Sequence, residues 1–245
     1  MCKENHMSDT SMKTVSTEFV DRLVRGICHD MGAPTRHIVQ FSQMLNNSPK
    51  GKVEPEKQLK WLSFINDSGL KAQEMLSSLS KLSMISSSQA TESLNLRFVF
   101  EQVVDNLKLN NMEQWKTVEL TVNEQWPVVE GVRSHWQLLF TYLLQNAVLF
   151  QPKDADHSVF INVQLNKHND MVYLEVDDNG IGLTEYQMAE ATKPFKRFNP
   201  VEDYDGIGMG LTYCDYISQL NNGSIDFKQS ELGGLKVTYR QACFL

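Results

Sequence analysis

Apolar residues recur at two periods along this chain, and the change of period divides it. Phe19, Leu23 and Ile27 lie four apart, and Ile38, Phe41, Met44 and Leu45 resume the stripe beyond Pro34, the spacing of an amphipathic helix. The run Asn46-Asn47-Ser48-Pro49-Lys50-Gly51 interrupts it. A second helical stripe starts near Pro55-Glu56, carries Leu62, Ile65, Leu76 and Leu79 in heptad-like register, and ends in Ser86-Ser87-Ser88. Two long helices with a short connection predict an antiparallel hairpin over residues 16–86, behind a polar tail at 1–15 expected to be disordered. One hairpin has too little to bury its stripe against. Two of them closing into a four-helix bundle bury it, so a homodimer through the hairpin is expected.

Past a polar hinge at 87–93, alternating strands join the helices. Residues 94–96 predict a short strand, 98–109 a helix, 118–122 a strand and 127–130 another short one. An apolar helix follows over 132–150. Residues 159–165 and 171–177 predict a hairpin around 166–170. A helix over 211–220 is stopped by Asn222-Gly223, and 224–228 and 235–244 give two last strands. Strand pairs with helices on one side predict an α/β sandwich across 94–245, one helical layer over one mixed sheet. The expected fold class is α+β: a helical hairpin followed by this sandwich.

Two glycine turns bracket residues 183–205. Asp178-Asn179-Gly180-Ile181-Gly182 ends the strand that alternates Val172, Leu174 and Val176, and Gly206-Ile207-Gly208-Met209-Gly210 opens the helix at Leu211. Glycine at such turns takes positive φ and admits another group close to the main chain. A helix that starts there presents free N–H groups to an anion, a phosphate being the obvious one. Alone, the second turn is either an ordinary glycine turn or a phosphate cradle. It is neither a Walker loop nor a Rossmann turn, because no Gly-Lys-Ser/Thr follows and the preceding strand is misplaced. The first turn adds a carboxylate, Asp178, held at the end of a buried strand. It is placed to accept the exocyclic amino group of adenine, with Gly180 and Gly182 leaving room for the ring. In the 132–150 helix, Asn146 stands where a hydrophobe would otherwise sit. Its amide either satisfies the helix or core, or offers a hard carbonyl oxygen to Mg²⁺. In the first helix, His29 is followed by Asp30, Gly32 and Pro34. A histidine there is by itself an ordinary surface or core side chain. The proline removes a backbone hydrogen bond and Gly32 weakens the helix further, which would open His29 to an approaching domain.

Together, Asn146, Asp178-Gly182 and Gly206-Gly210 resemble the N box and two glycine boxes of the Bergerat ATP-binding domain, shared by sensor histidine kinases, DNA gyrase, MutL and the heat-shock chaperone ATPases. Lys193-Pro194-Phe195-Lys196-Arg197-Phe198 looks like the F box of histidine kinases, and His29-Asp30 with Pro34 resembles their H box. The order of the boxes is that of the kinases. The resemblance implies a protein histidine kinase of a two-component system that autophosphorylates on His29. Asp30 would orient the imidazole. ATP would lie between Asn146 and the turns, with adenine on Asp178 and Mg²⁺ joining Asn146 to the phosphates. Gly206, Gly208, Gly210 and Leu211 would line the nucleotide, and residues 183–205 would close as a lid. Lys193, Lys196 and Arg197 are then partners of the phosphates or solvated lid charges, and Phe195 and Phe198 pack the lid. The phosphoryl group would pass to an aspartate on the receiver domain of a response regulator. Three positions depart from the pattern. Tyr142 replaces an earlier Asn, Leu149 replaces a Lys or Arg, and Ala33 replaces a Thr or Asn tied to phosphatase activity. They leave a second reading: a degenerate kinase serving as a phosphotransfer or docking scaffold with an idle ATP site.

Composition narrows the partners. Over 245 residues the net charge is -7 and no basic stripe forms, which argues against nucleic acid as the main partner. No apolar run approaches the ~20 residues of a membrane span, and the start has no signal-peptide core, so no direct membrane span and a cytoplasmic location are expected. Cys2, Cys28, Cys214 and Cys243 lack metal-type spacing and read as free thiols. The residues ahead of the first helix are too few for a sensor domain. The signal is expected from a separate sensor protein or from a longer parent chain.

Overall fold

The computed structural model describes residues 8–48, 54–88, 90–153, 158–200, 204 and 206–242. They form two compact units, one over Thr17–Ser83 and one that holds Met84–Leu245. Helix α1 runs over Ser8–Asn46 and continues through Pro34. It begins well inside the stretch expected as a disordered tail. Ser8, Asp9 and Thr10 are helix-starting residue types, and no Gly or Pro follows until Gly26. The side chain of Phe19 lies outside the described residues.

Helix α2, Pro55–Ser87, turns a different stripe inward from the one its leucines predict. Trp61, Met75 and Leu82 are buried with Ser68 and Ser78, whereas Leu62 and Leu76 are 51% and 52% exposed. Trp61, Ser68, Met75 and Leu82 recur every seventh residue, a true heptad. Ser68 conceals it in the sequence, and the buried Ser78 beside it is satisfied within its own helix, its Oγ donating to the Glu74 carbonyl at 2.9 Å. The two helices meet where Phe41 stacks on Phe64 at 4.8 Å between centroids.

The second unit is an α/β sandwich. After strand β1, Glu92–Asn95, come α3, Leu96–Asn110, a short α4, Met112–Trp115, β2, Val118–Val122, and β3, Val128–Gly131. Then follow α5, Arg133–Leu149, the hairpin β4, Val159–His168, and β5, Met171–Asp178, a short α6, Glu185–Glu190, and α7, Gly210–Leu220. Strands β6, Ser224–Gln229, and β7, Leu235–Ala242, close the fold. Five strands make a mixed sheet in the order β2-β4-β5-β7-β6, parallel only at β2-β4, and β1 pairs with β3 separately. The expected hinge at 87–93 is corrected accordingly: Ser87 ends α2, and Glu92 and Ser93 pair with Gly131 and Glu130. Those polar side chains face out while their backbones are tied into a ladder.

Alternation decides which face is covered. Ile161, Val163 and Leu165 of β4, Val172, Leu174 and Val176 of β5, and Val237 and Tyr239 of β7 are buried. They meet Trp136, Leu139, Phe140, Leu143 and Leu144 of α5, Val99, Phe100 and Val103 of α3, and Tyr213, Cys214 and Ile217 of α7. Each such leucine or phenylalanine contributes about 1.5–3 kcal/mol through burial, so this layer holds the site in place.

Candidate nucleotide site and phosphoacceptor

Strand β5 delivers Asp178 to the end of its buried series, so the carboxylate follows Val176 onto the helix-facing side, only 8% exposed. Its Oδ1 accepts from the Gly180 N–H at 2.8 Å and the Leu235 N–H at 3.1 Å. Burial pushes its pKa up to about 6; the Leu235 and Gly180 bonds oppose that rise and neighbouring Asp177 adds to it. The floor beneath it is bare of necessity. A Cβ on Gly180 would lie 2.3 Å from the Phe150 carbonyl oxygen, and one on Gly234 would lie 2.2 Å from Asp178 Oδ1. Ile181 N–H donates to that same Phe150 carbonyl at 2.9 Å, which pins the first glycine turn to the end of α5. Gly182 has φ +63° and sits against the Gly234 carbonyl. Gly234 escaped the sequence reading. The Gly233-Gly234 pair just before β7 was the available signal.

The second turn faces α5. A Cβ on Gly210 would be in ordinary contact with Tyr142 Cδ1 at 3.5 Å and Asn146 Oδ1 at 3.6 Å, so the start of α7 lies beside both. Met209 at the N-cap makes no side-chain cap, leaving the first N–H groups of α7, from Gly210 and Leu211 onward, to an outside acceptor. Tyr142 packs on Tyr213 at 5.1 Å between centroids, and burial raises its pKa, so its hydroxyl stays protonated.

Between the turns, α6 is closed by a capping box in which Thr184 and Gln187 each bond the other's backbone. The lid cations are occupied. Lys193 pairs with Glu190 one helical turn back at 2.6 Å, Lys196 lies 5.8 Å above the Phe198 ring, and Arg197 donates to the carbonyls of Tyr204 and Gly206. Of the two roles expected for these three, phosphate partners or lid charges, the contacts described are those of charges within residues 183–206. Arg197's planar fork suits two carbonyls, and Phe195, two residues earlier, takes φ +58°. Gly208, at φ +78°, fits against the Lys196 carbonyl, 2.7 Å from where its Cβ would be. Phe195 and Phe198 are half-buried. Tyr204 ties the lid to the end of α5 through a 3.0 Å bond from its hydroxyl to the Gln151 carbonyl.

In the helical unit the His29 side chain is 88% exposed, with Nδ1 2.9 Å from Asp30 Oδ1. Such an exposed pair is energetically weak in water; a carboxylate only accepts, so within it Nδ1 is the donor and Nε2 stands outside the pair. Pro34 lacks the amide that would otherwise bond the Asp30 carbonyl. Free thiols are present at Cys28, exposed, and Cys214, buried. No helix among the described residues is long and apolar enough to cross a membrane.

Comparison with known proteins agrees with this fold. Residues 131–242 match the family described as histidine kinase-, DNA gyrase B-, and HSP90-like ATPase. An uncharacterized sensor-like histidine kinase of Rhizobium meliloti is 23% identical over 86% of this chain and 40% of its own length. The circadian input-output histidine kinase CikA of Synechocystis is 24% identical over 93% of this chain and 31% of its own length. The chain thus spans less than half of either relative. Among solved structures, the histidine kinase ThkA in complex with the response regulator protein TrrA superposes with a TM-score of 0.63 at 14% identity, covering 99% of this chain and 68% of that one. The Acinetobacter baumannii histidine kinase AdeS gives 0.57 at 16% identity over 89% of this chain and 98% of its own. At these identities the structural likeness concerns the fold.

Proposed function

We propose that this chain, which carries the catalytic core of a sensor histidine kinase, transfers the terminal phosphoryl group of ATP to His29 and then to an aspartate on a response regulator's receiver domain. The observations that support this most directly are an exposed imidazole bonded to a neighbouring carboxylate in one unit and a bare-floored carboxylate site in the other. Asp178 accepts the adenine amino group beside Gly180 and Gly182. The start of α7, with Gly206, Gly208, Gly210 and Leu211, receives the phosphates on backbone N–H groups. Asn146, whose Oδ1 faces that turn, offers the hard oxygen that Mg²⁺ prefers, and Mg²⁺ when bound supplies neutralisation of phosphate charge. Nε2 of His29 forms the new N–P bond as the bond between phosphorus and the ADP oxygen breaks. Asp30 compensates the positive charge left on the ring. The exposed leucines of α2 are buried by a second copy, so the unit acts as a homodimer, placed in the cytoplasm and driven by a separate sensor protein or by further parts of a longer chain.

Tyr142 and Leu149 favour a second reading, a phosphotransfer scaffold with an idle ATP site, because neither supplies the polar or cationic group that the resemblance expects. Incubation with γ-labelled ATP and Mg²⁺ separates the two. The kinase reading expects acid-labile, base-stable label that disappears in His29→Gln. Label surviving in that variant, or none in the parent chain, overturns it.

A further inference from the structure

The last turn of α2 is bound to the ATP-binding unit by side chains outside both glycine turns. A helix ends with carbonyls that no amide of its own can reach. The Met84 carbonyl is met locally, by the hydroxyls of Ser87 at 3.0 Å and Ser88 at 3.1 Å. Ser88, just past the helix, shares its N–H between the Met84 and Ile85 carbonyls at 3.2 and 3.3 Å, and the Ile85 carbonyl takes a second partner from elsewhere: His135 Nε2, in the first turn of α5, lies 3.1 Å away. Ile85 is 3% exposed and His135 4%. The ring's other nitrogen lies 3.4 Å from Asn221 Nδ2 at the C-cap of α7. Asn221 also donates to the Tyr239 hydroxyl at 3.3 Å, and that hydroxyl donates to Gln241 Oε1 at 2.6 Å. The chain of bonds runs one way only when His135 is neutral with its proton on Nε2, and burial lowers its pKa toward that form. A second bond joins Ser86 to Tyr216 of α7.

We propose that His135 is a positioning residue: it caps α2 from the ATP-binding unit and makes Ile85–Ser88 part of that unit, so the joint on which the unit swings lies ahead of Met84 and not in the serine-rich stretch. The geometry points the same way as the division of the chain between Ser83 and Met84. His135 touches neither nucleotide nor phosphoacceptor. It acts through the backbone of α2, whose last turn would otherwise fray, and it spans from that turn to the far end of α7, the helix that begins at the second glycine turn. Its consequence for phosphoryl transfer rests on the function proposed above.

The test is hydrogen exchange of the peptide covering residues 84–91 in the full chain, compared between the parent, His135→Leu, His135→Gln and Tyr216→Phe. Removing the cap is expected to speed exchange in that peptide at least fivefold. Gln, which keeps an N–H donor, restores most of the protection, and Phe, which loses only the bond to Ser86, gives a smaller increase. Affinity for a fluorescent ATP analogue stays within twofold in all four, while the rate of His29 labelling at saturating ATP falls in His135→Leu. Unchanged exchange in both His135→Leu and Tyr216→Phe overturns the tether. So does faster exchange spread across the whole ATP-binding unit with lost nucleotide affinity in every variant, which would make His135 a plain core residue. If the parent chain takes no label on His29, the functional reading fails, and the exchange comparison alone decides the tether.

Discussion

The two units distribute their apolar residues in opposite ways. The ATP-binding unit covers its sheet with three helices and buries every large side chain from Leu139 to Leu144 that faces it. The helical unit buries Trp61, Met75 and Leu82 but leaves Leu59, Leu62, Phe64, Leu70 and Leu76 exposed on the same helix. Both units are helical where they matter, so propensity does not explain the contrast. A finished core suits a part that must hold a small molecule by itself. An unfinished one suits a part whose partner is another protein surface, and the exposed His29, the proposed phosphoacceptor, lies there too.

The contrast breaks most sharply at Asp178. Replacing it with Asn keeps an oxygen for the Gly180 and Leu235 amides but sets an N–H where an acceptor is needed. Nucleotide affinity should fall by about 100-fold or more, because two donors then face each other in a desolvated place. The same change should raise the unfolding free energy at neutral pH, since a buried charge is removed, by on the order of 1–3 kcal/mol. Calorimetry and analogue titration on one preparation read both. A destabilised Asp178→Asn chain that still binds ATP would mean the carboxylate is structural.

Next in size is the exposed stripe. Leu62→Glu with Leu76→Glu should weaken self-association roughly 30-fold or more, from lost burial plus a desolvated charge. Nucleotide affinity should stay within twofold, because neither residue belongs to the ATP-binding unit. Sedimentation against concentration reports the first and titration the second. A double variant that sediments like its parent would leave those leucines without a covering partner.

Acid gives a smaller, graded effect with two signs. The folded-state pKa of Asp178, about 6, lies above its ordinary value of 3.8. Its contribution to stability is therefore fully present below that ordinary value and is lost as pH rises through about 6. Binding runs the other way, because the adenine amino group needs the carboxylate ionised. Affinity should be about tenfold weaker at pH 5 than at pH 7, while the nucleotide-free fold gains stability over that interval. Asp178→Asn should flatten both trends. A parallel loss of affinity and stability toward pH 5 in the parent chain would assign the titration to another group.

How much of this was legible differed between the units for a physical reason. In the sandwich, strand alternation is enforced by a face that must be dry, so β2, the β4-β5 hairpin and helix α5 stand within a few residues of where the pattern predicts them. The candidate residues Asn146, Asp178 and the glycines stood out because their types are unusual at such positions. In the stalk, apolar residues occupy two faces of α2, and Leu62 and Leu76 advertise the outer one. The inner face sets Ser68 and Ser78 among Trp61, Met75 and Leu82, which interrupts its apolar run. His135 was invisible for a related reason. It occupies one place in the buried series Trp136, Leu139, Phe140 and Leu143, where a histidine looks like a packing residue until its partner, a backbone carbonyl 50 positions earlier, is seen. The occupied state of Lys193, Lys196 and Arg197 depends on lid backbone geometry, which side-chain type does not encode.

The smallest expected effect tests whether the lid belongs to the finished core at all. Helix α6 has only six residues and buries none of them. A helix that short is marginal in water, so its ends decide whether it persists. Thr184 Oγ1 accepts from the Gln187 N–H at 3.3 Å, and Gln187 Oε1 accepts from the Thr184 N–H at 2.8 Å. Thr184→Ala removes the first arm and loosens the second, at a cost of about 1 kcal/mol confined to the lid. The melting temperature of the whole chain should barely move, exchange over 184–191 should rise several-fold, and nucleotide affinity should weaken by no more than about fivefold as closure becomes less favourable. Should the melting temperature drop by several degrees instead, the lid helix would be part of the cooperative core, and the line drawn between a rigid nucleotide site and its moving cover would have to pass elsewhere.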